Sequence, residues 1–152
     1  MTILQHDPNL LGFNPYQGVM MRGNSEPQSS YSDDAVIDYL AEHLPNWYFE
    51  NGWIRRKYKT HSWKGTLMVA NTVAHLAEAA FHHPDMALSY AFVIVKLKNH
   101  EAKGITDKDF ALASKIEQVI MWQPGLEDSS SLPGTPKDPR FAYLKYDNKT
   151  SC

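Results

Sequence analysis

Cysteine is nearly absent from this chain: the one copy, Cys152, is the last of 152 residues, so no internal disulfide is available. The fold must therefore rest on burial and hydrogen bonding, and the scarcity of thiols suits a reducing compartment; the expected location is cytoplasmic. No apolar run approaches the length of a membrane span. The first residues lack the basic stretch and continuous apolar stretch of a secretory signal. Asn148-Lys149-Thr150 matches a glycosylation acceptor, which in that context reads as a chance match. Charge of one sign is also scarce. The net charge of −2 gives no global attraction to nucleic acid, so such a contact would need a local patch. Phosphate loops, dinucleotide fingerprints, nucleophile elbows and internal repeats are all missing, and no serine or cysteine stands out as a nucleophile.

What remains is ordinary globular material, 43% hydrophobic and 21% charged, enough for one domain with length left over for tails. Residues 1–31, with Pro8, Pro15 and Pro27 and no sustained period, read as a flexible arm. Ser32 followed by Asp33 and Asp34 starts a helix whose apolar residues are Val36, Ile37, Leu40 and Leu44, and Pro45 stops it. Aromatic residues on both sides of Asn51-Gly52 predict a hairpin. Its second strand should carry Ile54, Arg56 and Tyr58 on one face and Arg55, Lys57 and Lys59 on the other.

Ser62 caps a long helix to about Ala80, with Trp63, Leu67, Ala70, Ala74 and Ala77 forming the stripe expected to pack. His82-His83-Pro84 ends it, because the residue before proline leaves the α region. A strand pair follows, around Ala87 to Tyr90 and then Phe92 to Asn99, with Val93, Val95 and Leu97 facing inward. Thr106 and Asp109 match a capping box opening a last helix lined by Phe110, Ala113, Ile116 and Ile120. From Gln123 the chain turns polar and proline-rich and reads as a flexible tail over 123–152, with Phe141 to Leu144 as a possible edge strand. The domain is thus 32–122. Its expected class is α+β, a two-layer sandwich with helices on one face of a four-stranded antiparallel sheet. The sheet's open edges favour pairing across copies, hence a homo-oligomer.

The chemistry-bearing residues concentrate between Glu78 and Asp109. His82, His83 and His100, with the carboxylate of Asp109, are what general acid–base chemistry near neutral pH requires if folding brings them together. Each has a plainer reading. A histidine at a helix C-terminus meets the macrodipole favourably, and Asp109 serves its capping box. Glu78, one turn before His82, either orients that imidazole or is simply solvated. A metal site is not expected, since adjacent histidines seldom face one ion and no cysteine lies nearby. Arg55, Arg56, Lys57 and Lys59 form a basic strand, read as a solvated face or as a contact for a small anion or nucleic acid.

Glu78-x3-His82-His83-Pro84-x5-Tyr90-x9-His100-x8-Asp109 resembles the motif of the pterin-4a-carbinolamine dehydratases, with every fixed position filled. Gly104-Ile105-Thr106, Leu112-Ala113-Ser114 and Ile116-Glu117-Gln118-Val119 are similar to that family's last helix, and the likeness runs over about residues 33 to 122. The resemblance implies dehydration of 4a-hydroxytetrahydropterin to quinonoid dihydropterin by a homodimer or homotetramer, without metal or other cofactor. It implies that His82, His83 and His100 are the acid–base and pterin-contacting groups. Asp109 and Glu78 would orient them or meet the pterin's polar edge. Pro84 and Tyr90 would belong to the binding site, and Trp47 would help wall it. Which histidine is acid and which base stays open.

Phe81 and Met86 depart from the family pattern, where many members have an acid before the histidines and an aromatic two places after the proline. Some dehydratase-like proteins act as Rubisco assembly factors, and an animal member binds a homeodomain transcription factor. The second expectation is accordingly a non-catalytic protein-binding factor, with Rubisco subunits among its possible partners. Its determinants would lie on the basic strand and in the tails.

Overall fold

The computed structural model describes residues 29–147. Most of the proposed N-terminal arm lies outside that range, as do Cys152 and the Asn148 acceptor sequence. Helix α1, Asp33–His43, opens where the Ser32 hydroxyl accepts the Ala35 N–H at 3.3 Å. The hairpin follows as β1, Tyr48–Glu50, and β2, Trp53–Lys59. Asn51 (φ 52°) and Gly52 (φ 76°) supply the two positive-φ residues of a tight hairpin turn.

Helix α2, Trp63–Ala80, opens on Ser62, whose hydroxyl accepts the Gly65 N–H at 3.4 Å. Strands β3, Asp85–Ser89, and β4, Phe92–Leu97, come next, then α3, Asp107–Ile120. The antiparallel sheet runs β1-β2-β4-β3. The fold is α+β, a four-stranded antiparallel sheet with three helices, in agreement with the sequence.

The core lies between the layers. Ile54 and Tyr58 of β2 and Val93, Val95 and Leu97 of β4 meet Val36, Leu40, Val69, Val73, Phe110, Ala113 and Ile116 from the helices. Arg56 is buried among them, while Lys57 and Lys59 are exposed.

One expectation is corrected. The inward face of α2 is Gly65, Thr66, Val69, Ala70, Val73 and Ala77, whereas Trp63 and Leu67 keep 47% and 38% of their surface and Ala74 is exposed. Polar anchors choose the rotation. The Thr66 hydroxyl reaches the Ser89 and Tyr90 carbonyls, both at 3.0 Å, and shares a 2.8 Å hydrogen bond with the Thr60 hydroxyl. Turning Trp63 inward would turn this buried hydroxyl away from its partners, at a cost of about 1–3 kcal/mol.

Beyond α3 the chain returns to the fold through two short 3-10 helices, Pro124–Leu126 and Pro139–Phe141. Leu144 is buried and bridges Thr60, with the Lys145 N–H donating to the Lys59 carbonyl at 2.8 Å. The run Phe141 to Leu144 thus reaches the sheet at this bridge beside the end of β2.

Candidate active site

Phe81 sets the geometry of the histidine pair. It closes α2 in the left-handed region, φ 48° and ψ 44°, with its N–H donating to the Ala77 and Glu78 carbonyls. A non-glycine residue pays for that conformation, and here the reversal sends consecutive histidines in different directions. His82 Nε2 meets Asp109 Oδ1 at 2.7 Å, and His83 Nε2 meets Glu78 Oε2 at 2.9 Å. Glu78 therefore pairs with His83 rather than with His82 as the helical spacing suggested, because the helix has ended before His82 is reached.

Asp109 serves its capping box and faces His82 at the same time. Its Oδ2 accepts the Thr106 N–H at 2.8 Å and the Thr106 hydroxyl at 3.2 Å, completing the capping box, while Oδ1 is left for His82. Asp109 and Thr106 are wholly buried, and the His82 side chain is only 14% exposed. This imidazole is held by a carboxylate that is itself fixed at a helix N-terminus. His83 is the open member, 55% exposed, with the exposed Phe81 ring edge-on at 5.6 Å.

His100 lies in the turn after β4, exposed and edge-on to Trp53 at 5.6 Å. The turn is organised by Asn99, a buried residue that spacing alone passed over. Asn99 Oδ1 accepts the Glu101 and Ala102 N–H groups, and its amide donates to the Thr106 hydroxyl at 3.4 Å. A hydrogen-bonded path thus runs from the His100 turn through Asn99, Thr106 and Asp109 to His82. The only hint of it in the sequence is a polar residue ending a run of alternating apolar ones.

Pro84 is half-buried between the histidines and β3. The Tyr90 ring is 64% exposed in the β3–β4 turn. Trp47 sits elsewhere: it is buried, and its indole donates to Glu117 Oε2 at 3.0 Å. The same carboxylate receives Arg56 Nε at 2.9 Å, Arg56 Nη2 at 3.1 Å and the Tyr58 hydroxyl at 2.8 Å, and Arg56 also pairs with Asp147. Burial alone would raise the Glu117 pKa, but its hydrogen bonds from Arg56 prevail and hold it below the usual carboxylate range. Burial, with the Glu117 charge, pushes the Tyr58 phenol well above its usual value. The cluster ties β2 to α3 about 12 Å along the helix from Asp109. Among the described residues, no three His, Cys, Asp or Glu side chains converge on a common metal position.

The pterin 4 alpha carbinolamine dehydratase family matches this chain over residues 29–119, more than half its length. A relative from Aquifex aeolicus (strain VF5), provisionally named a pterin-4-alpha-carbinolamine dehydratase, is 44% identical over 79 residues, 52% of this chain and 80% of the relative. A second with the same provisional name, from Chloroflexus aurantiacus (strain ATCC 29366 / DSM 635 / J-10-fl), is 38% identical over 89 residues, 59% of this chain and 95% of its own. The fold is similar to the crystal structure of a transcriptional coactivator/pterin dehydratase from Brucella melitensis, with a TM-score of 0.55 at 22% identity, covering 60% of this chain and 99% of that one. This chain belongs to the pterin-4a-carbinolamine dehydratase family. The whole segment after α3 lies beyond the residues that the family matches.

Proposed function

We propose that this protein dehydrates 4a-hydroxytetrahydropterin to quinonoid dihydropterin, with His82, His83 and His100 sharing the proton transfers. The C4a–O bond breaks as an acid protonates the departing hydroxyl, which leaves as water. The N5 electron pair forms the new C=N bond, and a base takes the N5 proton. Two proton transfers near neutral pH call for imidazoles held in place. The observation that carries this reading is the His82–Asp109 pair at 2.7 Å, anchored by a wholly buried carboxylate. Family membership supports the same chemistry.

Glu78 orients His83, while Pro84 and Tyr90 border the bound pterin. Trp47 acts at a distance, by fixing β2 against α3 through Glu117. The step calls for no added cofactor, since both protons move between imidazole and substrate. We take the working form to be a homodimer or homotetramer in the cytoplasm, with copies meeting at the sheet edges left open by β1 and β3.

The test is turnover of chemically generated 4a-hydroxytetrahydropterin, followed by ultraviolet absorbance, for the native protein and His83→Ala. The native protein should exceed the spontaneous rate, and the variant should lose about 10²–10⁴-fold of that acceleration. Folded native protein that leaves the spontaneous rate unchanged would overturn the reading.

A further inference from the structure

The chain's positive charge gathers on the sheet face turned away from the helices. Strand register sets Arg55 opposite Lys96, with Lys57 and Lys59 following along β2 and Lys98 two residues beyond Lys96 on the same side. The bridge at Leu144 brings Lys145 alongside Lys59. Six cations therefore share one surface of a protein whose net charge is −2. Two acids on the edge strands answer them: Glu50 reaches Arg55 at 2.7 Å and Asp85 reaches Lys96 at 3.5 Å. Lys57, Lys59, Lys98 and Lys145 have no ion-pair partner among the described residues. Like charges side by side on a sheet face destabilise it, so this arrangement calls for an anionic complement.

The shape of the stripe narrows the choice. It follows the two central strands, about 5 Å apart, with cations every ~7 Å along each, and the acids of β1 and β3 wall both sides. That is the width of one extended chain. Stacking on bases is poorly served, because the Phe92 and Trp53 rings of the face already lie under lysines, which leaves Tyr48, opposite Arg55, as the ring on offer. The Lys57 ammonium lies 4.1 Å over Phe92, and those of Lys96 and Lys98 lie 5.3 and 5.8 Å over Trp53. Residues 1–28, whose acids are Asp7 and Glu26, do not have the alternating carboxylates that the lysine rows would meet.

We propose that this face binds an extended acidic segment of another polypeptide, with carboxylates at alternate residues meeting the lysine rows. The proposal does not rest on the dehydration chemistry, although the two regions adjoin: the Trp53 ring beneath Lys96 and Lys98 is the one that His100 meets edge-on.

The test is fluorescence anisotropy of the full chain with a fluorescein-labelled peptide of alternating Asp and Ser, beside labelled oligothymidylate. Lys57→Glu/Lys59→Glu is the comparison; both side chains are exposed, and circular dichroism checks the fold. The acidic peptide should bind with an affinity that weakens as salt is added, and the variant should bind it at least about tenfold more weakly, some 1.4 kcal/mol. Oligothymidylate binding more tightly than the peptide would overturn the proposal in favour of nucleic acid. Absence of peptide binding at low salt, or equal binding by the variant, would overturn it outright.

Discussion

Asp109 answers to two elements at once, and its substitution separates them. Asp109→Asn keeps a carbonyl oxygen for the Thr106 N–H but presents an amide where His82 met a carboxylate. The cap should lose about 1 kcal/mol, within the range for helix N-termini, read as the shift in urea midpoint. On the dehydratase reading, turnover should fall by on the order of a hundredfold. A variant as active as the native protein would confine Asp109 to capping. Phe81 offers the converse case. Its ring is 83% exposed while its backbone holds a left-handed conformation, so Phe81→Gly should raise stability by about 0.5–1 kcal/mol. Urea unfolding measures this, and a loss would mean that the edge-on contact with His83 outweighs the backbone strain.

Gly65 decides how the segment after α3 meets the body. A Cβ added there would stand 2.3 Å from the Tyr143 carbonyl oxygen, closer than any side chain tolerates, so Gly65→Ala must push the Tyr143–Lys145 backbone off β2. Hydrogen exchange at the Lys145 amide should then quicken by at least about tenfold, and residues 123–147 should become accessible to protease. Unchanged protection would show that α2 moves instead. Gly65 also marks where the sequence stops being legible. Asn51-Gly52 announced the hairpin because positive φ at both positions is a local demand. The capping box of α3 was equally local. The inward face of α2 depended on Thr66 meeting the Ser89 and Tyr90 carbonyls, more than twenty residues away, which no helical periodicity records. The candidate site divides the same way. The residues His82, His83 and Asp109 stood out by type and spacing, but their pairing turned on the backbone of Phe81, and Asn99 gave no local sign of its part.

Across the whole molecule, Glu117 is the point where four elements or segments meet: β2 through Arg56 and Tyr58, the entry to β1 through Trp47, α3 through its own backbone, and the end of the C-terminal segment through the shared Arg56–Asp147 pair. This predicts a stability profile with two limbs. The Glu117 pKa is lower in the folded state than in the unfolded one. The unfolded chain therefore binds more protons in acid, and the stabilisation, complete above an ordinary glutamate value of about 4.3, is lost as pH falls through the folded value. Tyr58 has the opposite sign. Its folded pKa is raised, so its contribution holds up to an ordinary tyrosine value of about 10 and declines as pH rises beyond it, when the unfolded phenol ionises and the buried one does not. Tyr146, raised by burial and by its hydrogen bond with Tyr143, adds to the same limb. Urea midpoints measured from about pH 3 to 11 should trace this dome. Tyr58→Phe should shrink its alkaline side to the part due to Tyr146 and trim the acid side less, because Arg56 still holds the Glu117 pKa down. Glu117→Gln should flatten the acid side and, by leaving Arg56 with Asp147 as its one ionised partner, lower the plateau by about 1.5–3 kcal/mol. An alkaline limb unchanged in Tyr58→Phe would move the transition to the tyrosines of the C-terminal segment, and with it the main pH sensitivity of the fold from the sheet–helix interface to the returning chain.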